Sequence, residues 1–389
     1  MSMRMSGPRG CGRAGVIAVL VAVAAVVLAA CGGPPPTVSG NGGKSSAPGD
    51  NKLQTVYDSL AGVDDLQARR QKLIDLAKQE GGEVMWYTSF NADDVSAIED
   101  DFKKKTGINL KVYRAGSSTV RQRVEQEASG GGIRADVLSA TGSDPGILAH
   151  ENHYAELKSP LLTQLIPQAV FPTWFGDQVY PFVVAWNSGA YPDGKAPKDY
   201  TDLLTNFTDG MAIEQTDADW LYGMVALLQK QNGMSEDDAL KLVGDAVKRS
   251  TPFDGHTSMT ELIAAGQFKI SPDNYHYRVL KTLKDGGKIA WSPKVGPIVS
   301  EFGGTGIATG AAHPAAALLL AEYLMIDNQQ GQWATSQRTS TLKNAKIGVA
   351  ADPGAEIYYI DYGGMIPNIT RYQKLFADML AATGKKARS

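Results

Sequence analysis

The chain has 389 residues, 43% of them apolar and 20% charged, with a formal net charge of −3. That balance excludes a disordered or collagen-like chain and argues against a nucleic-acid partner. The length exceeds the ~250 to 300 residues at which a single core stops growing, so two domains are expected.

At the start, Arg4, Arg9 and Arg13 precede an unbroken apolar run from Val16 to Ala30, and no acid occurs before Cys31. This is the order of a secretory signal, over residues 1–30. As a helix at ~1.5 Å per residue the run spans about 22 Å, short of the ~30 Å hydrocarbon core of a bilayer. It reads as a cleaved leader; an uncleaved anchor is the alternative, and both place the body outside the cytoplasm. Leu28-Ala29-Ala30-Cys31 has the pattern of a lipobox, which makes Cys31 the expected lipidation site. Two acyl chains on one thioether meet the two-signal requirement for stable anchoring, here to the outer face of the cytoplasmic membrane. The only other cysteine, Cys11, lies in the leader, so the mature chain has neither a disulfide nor a thiol nucleophile.

Residues 31–52 are rich in Gly, Pro, Ser and Asn and are expected to form a flexible tether. Gly43-Lys44-Ser45 is similar to the end of a phosphate-binding loop, but Val38 stands where the motif needs its first glycine and no strand precedes it. Residues 53–82 read as an amphipathic helical prelude.

From Glu83 the pattern alternates. Strands are expected at Val84–Thr88, Ile108–Tyr113 and Ala135–Ser139, with helices over Asn91–Lys105 and Ser117–Ser129 between them. That βαβαβ order implies a parallel sheet covered on both faces. A second such region has strands at Met211–Glu214 and Phe268–Ser271. Its helices are expected over Asp217–Gln231, Ser235–Lys248, Thr257–Ala265 and Asn274–Lys284. Extended apolar stretches at Val179–Trp186 and Lys288–Ser300 read as two hinge crossings. A strand at Gly304–Ala308 and helices over His313–Ile326 and Asn328–Thr335 follow. The expected fold is α/β, with two lobes of mostly parallel sheet flanked by helices. The first comprises residues 83–184 plus 296–389 and the second residues 185–295.

Ligands of open parallel sheets sit beyond the carboxyl ends of the strands, where helix N-termini present unpaired N–H groups. Small hydroxyl, amide or imidazole residues gather at four such points: Thr88, Ser89 and Asn91; Ser117 and Ser118; Thr141, Gly142 and Ser143; His256 and Thr257. Each could serve only as a helix cap, but together they suit a small ligand that is anionic or polyhydroxylated. Trp220, after Asp217 and Asp219, either stacks on a ligand or belongs to the core.

Several segments are similar to the first lobe of type-II periplasmic binding proteins: Trp86-Tyr87-Thr88-Ser89, the helix end Phe102 to Gly107, and Arg134-Ala135-Asp136-Val137. Ala185-Trp186-Asn187, Gly255-His256-Thr257 with Leu262 to Gly266, and Ala311 to Ala317 with Gln330-Gly331-Gln332 extend the likeness over roughly residues 82 to 340. The sequence thus resembles ABC-transporter substrate-binding proteins of the ferric-iron/spermidine-putrescine branch. That resemblance implies two lobes closing on a small molecule, permease and ATPase subunits as partners, a monomer, no cofactor, and Asn187 at the cleft. It also implies that Tyr275, His276 and Tyr277 lie where the cleft is faced, with Tyr275 at the first tyrosine of the ferric branch and His276 in place of the second. Asn91 falls near that branch's histidine and Thr141 near its glutamate, so the anionic oxygen set that ferric iron prefers is mostly absent. A ferric-iron-binding protein of the same class is the alternative.

Nothing points to an enzyme. His150-Glu151-Asn152-His153 lacks zinc-protease spacing, Gly303-Gly304-Thr305-Gly306 is not a dinucleotide fingerprint, and no Gly-x-Ser-x-Gly elbow occurs in the body. A lipid-anchored hydrolase is the rival class.

Overall fold

The computed structural model describes residues 50–192 and 194–388. The leader, Cys31 and most of the tether fall outside the described residues.

The prelude consists of α1 (Asp50–Leu60) and α2 (Leu66–Gln79), so helix begins at the last residues assigned to the tether. The first α/β unit comprises β1 (Glu83–Thr88), α3 (Ala92–Thr106), β2 (Asn109–Arg114), α4 (Ser117–Ser129), β3 (Val137–Thr141) and α5 (Asp144–His150). After β4 (Trp174–Asn187) come α6 (Tyr200–Asn206), β5 (Ala212–Glu214), α7 (Ala218–Asn232), α8 (Glu236–Arg249) and β6 (Thr251–Phe253). They are followed by α9 (His256–Ala264), β7 (Ile270–Tyr275), α10 (His276–Lys284) and β8 (Ile289–Trp291). The chain ends with β9 (Ile298–Ile307), α11 (Pro314–Met325), β10 (Ile357–Tyr359), α12 (Tyr362–Met365) and α13 (Ile369–Ala381).

The main sheet runs β2-β1-β3-β9-β4-β7, with β10 beside β9 and β8 beside β4. β1 pairs in parallel with β2 and β3, as the βαβαβ pattern requires, whereas β9 and β4 are antiparallel to their neighbours on this path. The crossings are therefore these two long strands: the expected second one at 288–300 is split between β8 and β9. Strand β4 is buried along its whole length, which explains its near-continuous apolar sequence. Its residues Trp174 to Pro181 pair with β9, and Phe182 to Asn187 pair with β7 and β8. The strand thus leaves one set of partners for the other at Pro181–Phe182.

Helix α2 buries Leu73, Ile74 and Ala77 and packs on α11, where a buried Arg69–Glu322 pair at 2.8 Å and an Arg70–Asp327 pair at 2.9 Å hold it. The prelude is thereby part of the folded body. The C-terminal end, expected with the first lobe, packs instead on the second: α13 lies on α7 and α8, and Arg388 forms a bridge beside Phe253 of β6. No helix among the described residues is long and apolar enough to cross a membrane.

Candidate functional site

The carboxyl ends of β1, β3 and β7 and the starts of α3, α5, α7, α9 and α10 meet at one junction between the two sets of strands. Hydrogen bonds cross it. Asp219, in the first turn of α7, accepts from the Ser143 N–H at the start of α5 (2.7 Å), and Arg278 of α10 donates to the side-chain oxygen of Asn91 before α3 (3.2 Å).

The inner part of the junction is acidic. Gly142 has φ +66°, a left-handed backbone that glycine tolerates, and a β-carbon there would collide with the Asp219 carboxylate and come within 3.3 Å of Glu301 Oε2. Two carboxylates thus crowd one glycine. Burial, and then the charge of Asp144, pushes the Asp219 carboxyl up to about 6 despite the Ser143 N–H. Burial pushes Glu301 and Asp217 well above the ordinary carboxylate range, with nearby acids adding to it. Tyr275 donates to Glu301 (3.1 Å), and its ring stacks on that of His256, with centroids 3.9 Å apart. His256 Nε2 lies 2.9 Å from Asp217, and burial holds its imidazole below its usual value, favouring the neutral ring.

This arrangement changes the reading of the donor ring. The protein's own carboxylates occupy two of the expected helix starts, Asp219 at Ser143 and Glu214 at the Gly255 N–H (2.6 Å). At a third, Ser117 Oγ donates to the Thr141 carbonyl (3.1 Å) and accepts the Thr141 N–H (2.9 Å), while Ser118 is exposed. The start of α3 is different: Asn91 provides no side-chain cap, and its amide reaches across to Arg278.

Four expected contacts point away from the cleft. Thr88 is fully buried and accepts the Phe90 N–H (3.1 Å), closing its own turn. Asn187 accepts the N–H groups of Gly189 and Ala190 (both 3.0 Å) and donates to the Ile263 and Ala264 carbonyls, so its amide is fully used inside. Trp220 is fully buried in the apolar core. His276 is 2% exposed, lies edge-on to Trp291 (4.4 Å between centroids), and is pushed down to about 4 by burial. The residue beside Tyr275 is Tyr277, whose ring lies 6.1 Å away and near parallel. Strand alternation carried one step past β7 would have indicated this.

Nearer the surface lies a cleft of about 650 Å³, bounded on one side by the start of α3 and the 335–338 segment and on the other by Thr257 and α10. Asn91, Thr257, Tyr277, Arg278 and Arg338 line it, while Ser89, whose N–H bonds the Ser139 carbonyl, does not. Arg338, which sequence reasoning missed, is 4% exposed; it pairs with Asp94 and donates to Gln178 (3.2 Å). Among the described residues no group of three or more His, Cys, Asp or Glu is placed to hold a metal ion.

Residues 97–356 match the family described as bacterial extracellular solute-binding protein. The chain belongs to that family. No curated protein matches this solute-binding protein by sequence. Among solved structures it is similar to iron-bound HitA from Pseudomonas aeruginosa, at 18% identity and a TM-score of 0.66 over 76% of this chain and 99% of that one. It is also similar to MotA from A. tumefaciens B6 in complex with glucopine (15%, TM-score 0.64, 77% and 99%) and to a GABA receptor (16%, TM-score 0.66, 79% and 99%). These likenesses establish the type-II periplasmic binding protein fold.

Proposed function

We propose that this solute-binding protein captures a small solute between its two lobes and hands it to the permease and ATPase of an ABC importer, acting by binding and without turnover. The observation that carries the reading is the junction itself. Polar side chains from both sets of strands meet there, and among the described residues β4 and β9 are the strands through which the main sheet passes from one half to the other. Hinge strands of this kind allow the halves to close on a ligand. Asn91, Thr257, Tyr275 and His256 are the proposed contacts retained from the sequence, together with Tyr277. The test is small-angle scattering: a solute that binds should lower the radius of gyration with little change in secondary structure. Tight binding without compaction would argue for a rigid body.

The lipobox supports a tether through Cys31. In a Cys31→Ala variant the protein should leave the membrane pellet for the soluble fraction; retention as tight as in the wild type would exclude lipidation as the hold.

Ferric iron is the second reading, and one observation favours it. Tyr275 and Tyr277 lie side by side at the junction, with Glu301 hydrogen-bonded to the first. Structures of similar fold include an iron-bound protein, a glucopine complex and a GABA receptor, so the fold alone does not choose among such ligands.

A further inference from the structure

Arg338 and Arg278 approach one aromatic ring. The two guanidinium carbons lie 4.2 and 4.8 Å from the centroid of Tyr277, one from the 335–338 segment and the other from α10. Lys281 and Lys284 line the same cleft. Of the two acids there, Asp94 is taken by Arg338 and also accepts from Asn91 and Gln332 (both 3.3 Å), while Asp93 is exposed. Arg278 has no carboxylate partner among the described residues; its guanidinium donates to the neutral amide of Asn91. Behind it, Arg338 Nε and Gln178 Nε2 are buried N–H donors with no acceptor, although Gln178 is fully buried and Arg338 nearly so. Buried donors are normally satisfied, and of the two guanidinium groups over the ring only that of Arg338 has its charge met by a carboxylate, Asp94. Beside them the first turn of α3 adds N–H groups without a side-chain cap.

We infer that this cleft binds the carboxylate of a small organic acid, with Arg278 as the principal contact and Arg338, stacked on Tyr277, as the group behind it. A planar carboxylate matches the fork of a guanidinium, and the acidic inner junction leaves this mouth as the place where an anion is stabilised. The inference rests on interlobe capture as proposed above.

The probes are succinate, citrate and 4-aminobutyrate, with succinamide and 4-aminobutanamide as counterparts lacking the carboxylate and spermidine as the cationic control. Each is titrated calorimetrically into the full folded protein and into Arg278→Gln, with scattering in parallel. The expected result is that at least one carboxylate binds and that removing its charge weakens it. Arg278→Gln should then weaken it about 10- to 150-fold, the worth of one hydrogen bond to a charged group. The variant's ligand-free melting temperature should stay that of the wild type, because Arg278 has no buried charge partner. Silence from all three carboxylates overturns the inference, as does equal binding to Arg278→Gln. A spermidine or amide complex that compacts the protein and ignores Arg278 overturns it too, while leaving interlobe capture standing. Carboxylate binding that needs Arg278 but brings no compaction supports the site and counts against closure.

Discussion

The inner and outer parts of the interlobe junction are built from opposite charges. Inside, Asp217 and Glu301 are buried and Asp219 is half-buried, with the His256 imidazole and a tyrosine hydroxyl for company. Outside, Arg278, Arg338, Lys281 and Lys284 face two acids, one of them already paired. The inner acids are tolerated because their protons stay on to higher pH than usual; the two outer arginines have no such escape, since a guanidinium does not deprotonate. The contrast teaches that charge in the mouth must be met by a partner, whereas charge inside can be removed by a proton.

The largest effect should come from removing the one buried cation in the mouth. In Arg338→Ala the Asp94 carboxylate loses its ion pair while buried, and Gln178 loses its donor. Breaking a buried pair on one side costs about 3 to 5 kcal/mol, measurable as a lower denaturant midpoint at unchanged slope. A loss below about 1 kcal/mol would place Asp94 in effective contact with water and remove the reason to treat Arg338 as a fixed part of the site.

Much of this architecture was legible beforehand, and the exceptions have physical causes. Helices such as α3, with Val95, Ile98 and Phe102 on one buried face, announce themselves by periodicity. Strand β10 does not, because three partly buried residues pair only where β9 happens to pass. The packing of α13 on α7 and α8 depends on contacts more than a hundred residues away, which no local pattern encodes. At the site, the residues at strand ends were found and their roles were not. Ser143 and Gly255 look like donors open to a ligand until Asp219 and Glu214 are seen to occupy them. Tyr277 rather than His276 lies beside Tyr275, although the strand ends at Tyr275 and the helix begins at His276. Arg338 lies in a segment with no regular pattern, 61 positions from the ring it covers, and nothing in its neighbours marks it.

The next effect sharpens the inner half. The Asp219 carboxyl is raised to about 6 in the folded protein, against an unfolded value near 3.8. Between those values the folded state holds the proton that the unfolded state has released. This group's contribution is therefore most favourable below about pH 4 and is lost as pH rises through about 6. Two pH units of difference correspond to about 3 kcal/mol. In Asp219→Asn the side-chain oxygen can still accept from Ser143, but nothing titrates. The variant should match the wild type near pH 4 and exceed it by about 1 to 3 kcal/mol at pH 7, in urea unfolding at each pH. A variant less stable than wild type at pH 7 would mean that the ionised carboxylate is stabilised by Ser143 more than it is penalised by burial.

The smallest change, Tyr275→Phe, tests where the two halves touch. It deletes one hydroxyl, the one that donates to Glu301 at 3.1 Å, and leaves the ring stacked on His256 and beside Tyr277. Because Glu301 is pushed toward its neutral form by burial and by its acidic neighbours, the lost bond is worth the ordinary 0.5 to 1.5 kcal/mol rather than the charge-assisted value. Binding of an organic acid at Arg278 should be almost untouched by it, since the hydroxyl points to the acidic side. Ferric iron would behave differently, because a tyrosinate ligand to a trivalent ion produces a visible absorption band and a large part of the affinity. Titration of metal-free wild type with ferric citrate should give no such band, and any melting shift caused by the citrate should persist in Tyr275→Phe and disappear in Arg278→Gln. A band that vanishes in Tyr275→Phe while Arg278→Gln keeps it would transfer the binding site from the mouth to the inner junction, with Tyr275, Tyr277 and Glu301 as its ligands.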